Sequence, residues 1–442
     1  MDCKSYLYRI ALSLLLLTSF VACLDEFEIE TLDQGEQSTA LVVEAVLTDE
    51  MITQKVYLSR SSLRLDLEID TVYNPFIPLG SRPLDSVDME EGATVRVFGD
   101  DGAEYQFTEG NEGVYLSNQP FALEMGVAYT LDIMTRNGVG YISDPLTVQG
   151  NSQLTNIYAE NAINDSGEEG VAIYVDSQPM EGESQFFKYV YEETYKIIPP
   201  FTSAFEFVLT DYDPCALPEP TYNLEGVPKT EESVCFNTVV SDQIVQGSAL
   251  GGANSNVSRQ MVRFIGKDNF IISHRYSILV QQQVQSADAY SFYETLNSFS
   301  QSDNIFSQIQ PGALYANVHR KDGTAENVLG YVEAVGVSDQ RLFFNYEDFF
   351  PDEELPPFPF NCNLSSPPES HISYCFSGPT GPNPCPISII ESVDQGVISF
   401  YAYYSEGAVP TATCPGPYIV VPRICGDCLL GQKEEPEFWI EE

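Results

Sequence analysis

LVVEAVLT, residues 41–48, sets Leu41, Val43, Ala45 and Leu47 against Val42, Glu44, Val46 and Thr48. A period of two turns one set toward a core and the other away from it, which is the signature of a half-buried strand. Val56 and Leu58 repeat the spacing a few residues on, so the chain returns as a second strand. Working outward to Val148, Ala93 to Phe98 and Glu104 to Thr108 flank Asp100-Asp101-Gly102, and Tyr129 to Thr135 meets Tyr141 to Ser143 across Asn137-Gly138. Asp-Gly and Asn-Gly between alternating runs are hairpin signals, because those residues accept the positive φ of tight hairpin turns. About seven strands in roughly 100 residues predict an immunoglobulin-like β-sandwich over residues 39–150. The proline- and acid-rich stretch from Asp66 to Glu91 reads as a long loop at one edge.

A second β-rich region, 151–442, begins near Leu154. Phe187, Tyr189 and Tyr191 alternate with Lys188, Val190 and Glu192, and Pro199-Pro200 ends that run. Ser258 to Phe264 and Tyr276 to Val284 are further strands around Lys267-Asp268-Asn269; Val328 to Val335 and Val397 to Tyr404 follow. One helix is evident, Ala287 to Phe299, with Ser286 as N-cap and Tyr290, Tyr293 and Leu296 at helical spacing, an arrangement that reads first as a core face. The fold class is therefore mainly β: an amino-terminal immunoglobulin-like β-sandwich, then a larger β-rich region with one clear helix and a disulfide-stapled carboxy-terminal segment.

The chain of 442 residues is long enough for two or three cores. Hydrophobic residues make up 43% and aromatics 12%, far from the apolar-poor composition of a disordered chain. Lys and Arg number 20 against 65 Asp and Glu, a formal charge of -45. Such a field repels phosphate backbones, so nucleic acid is excluded as a partner class, and the charge reads as a solvated surface.

At the amino terminus, Lys4 and Arg9 precede a largely apolar stretch from Ile10 to Ala22. That length suits a signal peptide and falls short of the ~20 residues that span a bilayer. Phe20-Val21-Ala22-Cys23 resembles a lipobox, with small residues before a cysteine whose thiol receives the lipid, although Phe20 replaces the usual aliphatic residue. On this reading residues 1–22 are removed and acylated Cys23 anchors the protein in outer-membrane lipid; the other reading is an ordinary secretory signal with Cys23 as a thiol or disulfide partner. Residues 23–38 form a polar, acidic tether. Asp25, Glu26, Glu28 and Glu30 resemble the acidic patch that marks Bacteroidota lipoproteins for the cell surface. A plain linker in a periplasm-facing lipoprotein is the alternative.

Cys3 is lost with the signal, and besides Cys23 eight cysteines remain: Cys215, Cys235, Cys362, Cys375, Cys385, Cys414, Cys425 and Cys428. An even number suits an oxidising compartment, and structural disulfides are expected, with connectivities on the order of a hundred. Cys215 with Cys235 is the cheapest local pairing. Cys425-Gly426-Asp427-Cys428 is alternatively a redox or zinc element, but the first needs a βαβ setting and the second two more ligands. His274, His319 and His371 are widely separated, and no HExxH, Walker A, GxGxxG or GxSxG occurs. No metal, cofactor or catalytic residue is indicated, and the abundance of carboxylates leaves a glycosidase-like pair undetectable by sequence.

Several segments together resemble one family, the Bacteroidota lipoproteins called domain of unknown function 4249. They are the lipobox, Leu41 to Asp49, Val56 to Arg60, Glu193-Thr194-Tyr195, Ala316-Asn317-Val318, Val328 to Tyr331, and the ending Cys425-Gly426-Asp427-Cys428 with Pro436-Glu437-Phe438-Trp439. Leu429 to Glu435 departs from the basic, glycine-rich link usual there. The resemblance implies no catalytic residue. It implies an envelope lipoprotein frequently encoded beside TonB-dependent outer-membrane receptors, hence a non-enzymatic accessory or ligand-binding partner in uptake. An envelope scaffold or adhesion module, and a secreted hydrolase with an unrecognised site, are the competing readings. The ligand is not legible.

Overall fold

The computed structural model describes residues 40–61, 88–182, 186–216, 221–229, 234–249, 257–300, 316–324, 328–370, 388–409 and 415–441. The signal region, Cys23, Asp25, Glu26, Glu28, Glu30, Cys375, Cys385, Cys414 and most of the expected loop at 66–91 lie outside the described residues.

The first unit comprises β1 (Leu41–Thr48), β2 (Lys55–Arg60), β3 (Asp88–Met89), β4 (Thr94–Gly99), β5 (Glu104–Glu109), β6 (Val114–Ser117), β7 (Tyr129–Met134) and β8 (Gly140–Ser143). They pair antiparallel in the order β1-β2-β6-β5-β4-β7-β8, with β3 beside β2. The alternation of the opening stretch holds: Leu41, Val43, Ala45 and Leu47 are buried. They share one core with Val95 and Val97 of β4 and with Tyr129, Leu131 and Ile133 of β7. Strands far apart along the path bury their inner faces together, so the sheet folds over on itself as a sandwich. Full burial of each such side chain is worth about 1.5–3 kcal/mol. At the β7–β8 turn Gly138 holds φ +79°, the conformation the Asn-Gly signal anticipates.

The second unit opens with the long hairpin β9 (Gly150–Ile163) and β10 (Glu169–Gly182), followed by β11 (Phe186–Ile197). The chain then leaves in a separate hairpin, β12 (Phe205–Asp213) and β13 (Thr221–Pro228), and returns as β14 (Cys235–Val240), β15 (Val245–Ser248), β16 (Val257–Gly266) and β17 (Tyr276–Gln285). β9, β10 and β16 form a three-stranded sheet; β14 and β15 share one edge of β11, whose other edge pairs with β17. Val171, Ile173 and Val175 of β10 face Phe187, Tyr189 and Tyr191 of β11 and Ile278 and Val280 of β17 across a second core. Within that core Arg263 donates twice to Glu193 at 3.2 Å, and the Tyr276 hydroxyl donates to the same carboxylate at 2.6 Å. The carboxylate's lone pairs are thereby used, which is the condition for burying a charge at tolerable cost.

β18 (Val318–Arg320) and β19 (Val332–Phe344) join the two units. β18 pairs with β8 at the end of the first sheet. β19 pairs parallel with β1 and then antiparallel with β17, so one continuous sheet path runs from β14 to β18. Val318, Val328, Val332 and Ala334, which a sequential division at residue 150 assigns to the second region, belong to the first core. A parallel neighbour supplied from far along the chain leaves no local pattern, whereas a hairpin does.

The carboxy-terminal part packs β20 (Ile398–Tyr403) and β21 (Tyr418–Pro422) with the β12–β13 hairpin and the short helix Ile389–Asp394. Two disulfides staple it, Cys235–Cys428 and Cys362–Cys425, each with Cα atoms 5.7 Å apart. The local Cys215–Cys235 pairing is thus wrong. Cys215 follows the outward hairpin strand β12 and is exposed, while Cys235 opens β14 inside the second core. Cys425 and Cys428 each bond a distant cysteine, so their short spacing forms neither a redox pair nor half of a zinc site. Between them Asp427 accepts from Lys229 and, at 3.0 Å, from Ser399, tying β13 to β20.

Candidate functional site

The parallel seam between β1 and β19 brings residues of both units together around a common cleft. Entry of the chain into the seam depends on Gly330. It holds φ +85°, and a Cβ there would meet the Val43 carbonyl oxygen at 2.2 Å. Leu329 fits between β1 residues, accepting from Val43 N at 2.9 Å and donating to Leu41 O at 2.8 Å. Asn317 then acts as a substitute strand: its side chain donates to Val332 O at 2.7 Å and accepts from Val332 N at 3.0 Å.

With Val332 and Ala334 turned into the first core, the period of β19 sends Glu333 to the opposite face. There it meets Lys188 of β11, at 2.5 Å, and Gln285 of β17, at 2.8 Å. The Lys188 and Glu333 side chains are only 8% and 2% exposed. The helix Ala287–Ser300 covers this pair. Its N-cap is the expected Ser286, whose hydroxyl accepts from Ala289 N at 3.1 Å. Tyr293 lies under the Lys188 ammonium, 4.0 Å from ring centroid to nitrogen, and Phe292 packs on Tyr331 at 4.9 Å. The aromatic stripe is therefore more than a core face: Tyr293 is part of a buried polar cluster.

The cleft above this cluster has a volume of about 170 Å³, and its polar lining includes Asp144, Ser286, Asp288, Asn317, Tyr331 and Glu333. Burial, and then the charge of Asp288, push the Tyr331 hydroxyl up to about 12. Burial followed by Glu333 drives Tyr293 further in the same direction. Both phenols stay protonated at neutral pH and serve as hydrogen-bond donors. At the rim, His319 lies 3.3 Å from Asp144. The arrangement suits a small polar ligand that accepts hydrogen bonds from phenols and carries hydroxyl or cationic groups toward Asp144 and Asp288; it disfavours anions.

Among the described residues no group of three or more His, Cys, Asp and Glu side chains is placed to hold a metal ion. None of the site residues expected from sequence falls in the cleft: the lipidation and export residues lie outside the described residues, and the described cysteines belong to the carboxy-terminal staple or, for Cys215, to its surface. Lys188, Tyr331, Glu333 and Asn317 as site residues escaped the sequence reading. The one available signal was Lys188 at the centre of an aromatic strand in a chain poor in cations.

No helix among the described residues is long and apolar enough to cross a membrane. The family model described as Domain of unknown function (DUF4249) matches residues 25–341, which is most of the chain. No curated protein matches it.

Proposed function

We propose, from the premise that the chain belongs to the DUF4249 family, that it is a lipid-anchored lipoprotein of the outer membrane, displayed at the cell surface, serving a TonB-dependent uptake receptor as a non-enzymatic ligand-binding accessory. The seam cleft carries the reading, because its walls come from both units and its polar groups are donors and carboxylates suited to holding a ligand. The signal-like start ending at Val21-Ala22-Cys23 supports the anchor. Several acyl chains give stable attachment where one gives only marginal binding, since each buried CH₂ contributes about 0.8 kcal/mol. An anchor of that kind confines the protein to a thin layer and raises its effective concentration beside a receptor.

The test is native mass spectrometry of the protein purified from its own outer membranes, with and without Tyr331→Phe and Asp288→Asn. A small polar adduct on the wild type that both substitutions deplete is the expected result. Membrane-purified wild-type protein that carries no adduct would reject the ligand-binding half, and cell fractionation that finds the protein only in the soluble fraction would reject the anchor.

A further inference from the structure

The far end of the face that holds Lys188 and Glu333 is covered by the chain's own last described residues, PEFWIE at 436–441. The strand register explains the seat: Thr194, Ser277 and Phe343 form one row across β11, β17 and β19, and Glu192, Leu279 and Arg341 form the next. Trp439 is 7% exposed and makes edge contacts with Phe236, at 4.9 Å, and Phe343, at 5.7 Å. Arg341 lies over the Phe438 ring at 3.6 Å. Arg275 donates to the Ile440 carbonyl, and Lys196 donates to both Glu441 carboxylate oxygens at 2.9 and 3.0 Å.

We propose that this seat is a recognition groove for a short protein segment that turns as the tail does, with two aromatic residues preceding an aliphatic one and a carboxylate, and that the tail is an exchangeable occupant which a partner bearing that pattern displaces. The bound tail itself shows which chemistry the seat accepts. Arg275 and Lys196 converge on six residues of tail, and Arg341, paired with Glu192 at 3.3 Å, adds its guanidinium over Phe438, so in a molecule of charge -45 this is a place where the carboxylate of such a segment finds a cation. The hold on the tail is local. Gln432 exchanges two backbone hydrogen bonds with Phe236, but beyond it Trp439 N turns back to Pro436 O rather than into the sheet. The Trp439 indole N–H is buried with no acceptor among the described residues, a defect that a competitor's phenyl ring would not carry.

Trp439 is the only tryptophan, so its emission reports the tail alone. The synthetic peptide Pro-Glu-Phe-Phe-Ile-Glu, titrated into the full-length protein, should shift that emission to the red and raise its quenching by acrylamide several-fold. Arg341→Ala should weaken the effect, as should salt. In a second arm, a variant ending at residue 435 should bind fluorescent Pro-Glu-Phe-Trp-Ile-Glu saturably, and the full-length protein much more weakly. An unchanged Trp439 signal at saturating peptide overturns exchange. A truncated protein that keeps both disulfides yet fails to bind overturns the groove. If the truncation does not fold, the full-length titration decides alone.

Discussion

Lys188 and Glu333 carry the most free energy at stake in any single pair near the cleft. Two charges this deeply buried tolerate each other only as a unit, and removing one partner strands the other in a site of low dielectric constant. Lys188→Met is expected to cost about 3–5 kcal/mol, measured by urea unfolding. Adding Glu333→Leu should recover most of that loss, because two apolar side chains replace the pair without an orphaned charge. The phenols set a second expectation. Tyr189, by burial, and Tyr331, by burial and Asp288, are both pushed up to about 12 from an ordinary 10. A raised acid favours its protonated form in the fold, so the unfolded chain loses protons first as pH climbs. Stability from these groups is full below pH 10 and drains away between 10 and 12. Unfolding free energies taken across that window should fall, with a shallower slope in Tyr331→Phe.

Between single residues and the whole lie the seam and the staple. Gly330→Ala combines a left-handed backbone with a collision against Val43, and so should loosen β19 from β1. At least about 1 kcal/mol of destabilisation is expected, with faster hydrogen exchange at Val43 and Ala45 than in the second core. For the staple, replacing Cys235 and Cys428 with alanine should cost about 2–4 kcal/mol, and alkylation without reduction should label Cys215 while sparing Cys235, Cys362, Cys425 and Cys428. Labelling of those four would contradict the pairing. Much at this scale was legible from sequence. The alternation at Leu41–Leu47, the turns at Gly102 and Gly138 and the Ser286 cap are local signals, and each marks its element. What was illegible is what the chain assembles from a distance. The return of β19 to β1, the Cys235–Cys428 bond and the meeting of Lys188 with Glu333 each join residues whose neighbours in sequence say nothing of the partner.

Across the molecule, two sandwiches share one sheet path, and the cleft sits where they meet. On the proposed accessory role, a receptor that takes a ligand from this cleft approaches the seam, and against a chain of charge -45 it is expected to present Lys, Arg or bridging cations there. The proposed cleft-centred accessory role is tested most directly by a photo-crosslinking residue placed at Asp288, on the rim, in cells of the native host that make the protein. Mass spectrometry of the crosslinked species should identify a TonB-dependent barrel, with a yield that falls as salt rises. Recovery of the uncrosslinked chain alone, from a position equally reactive in the purified protein, would contradict it.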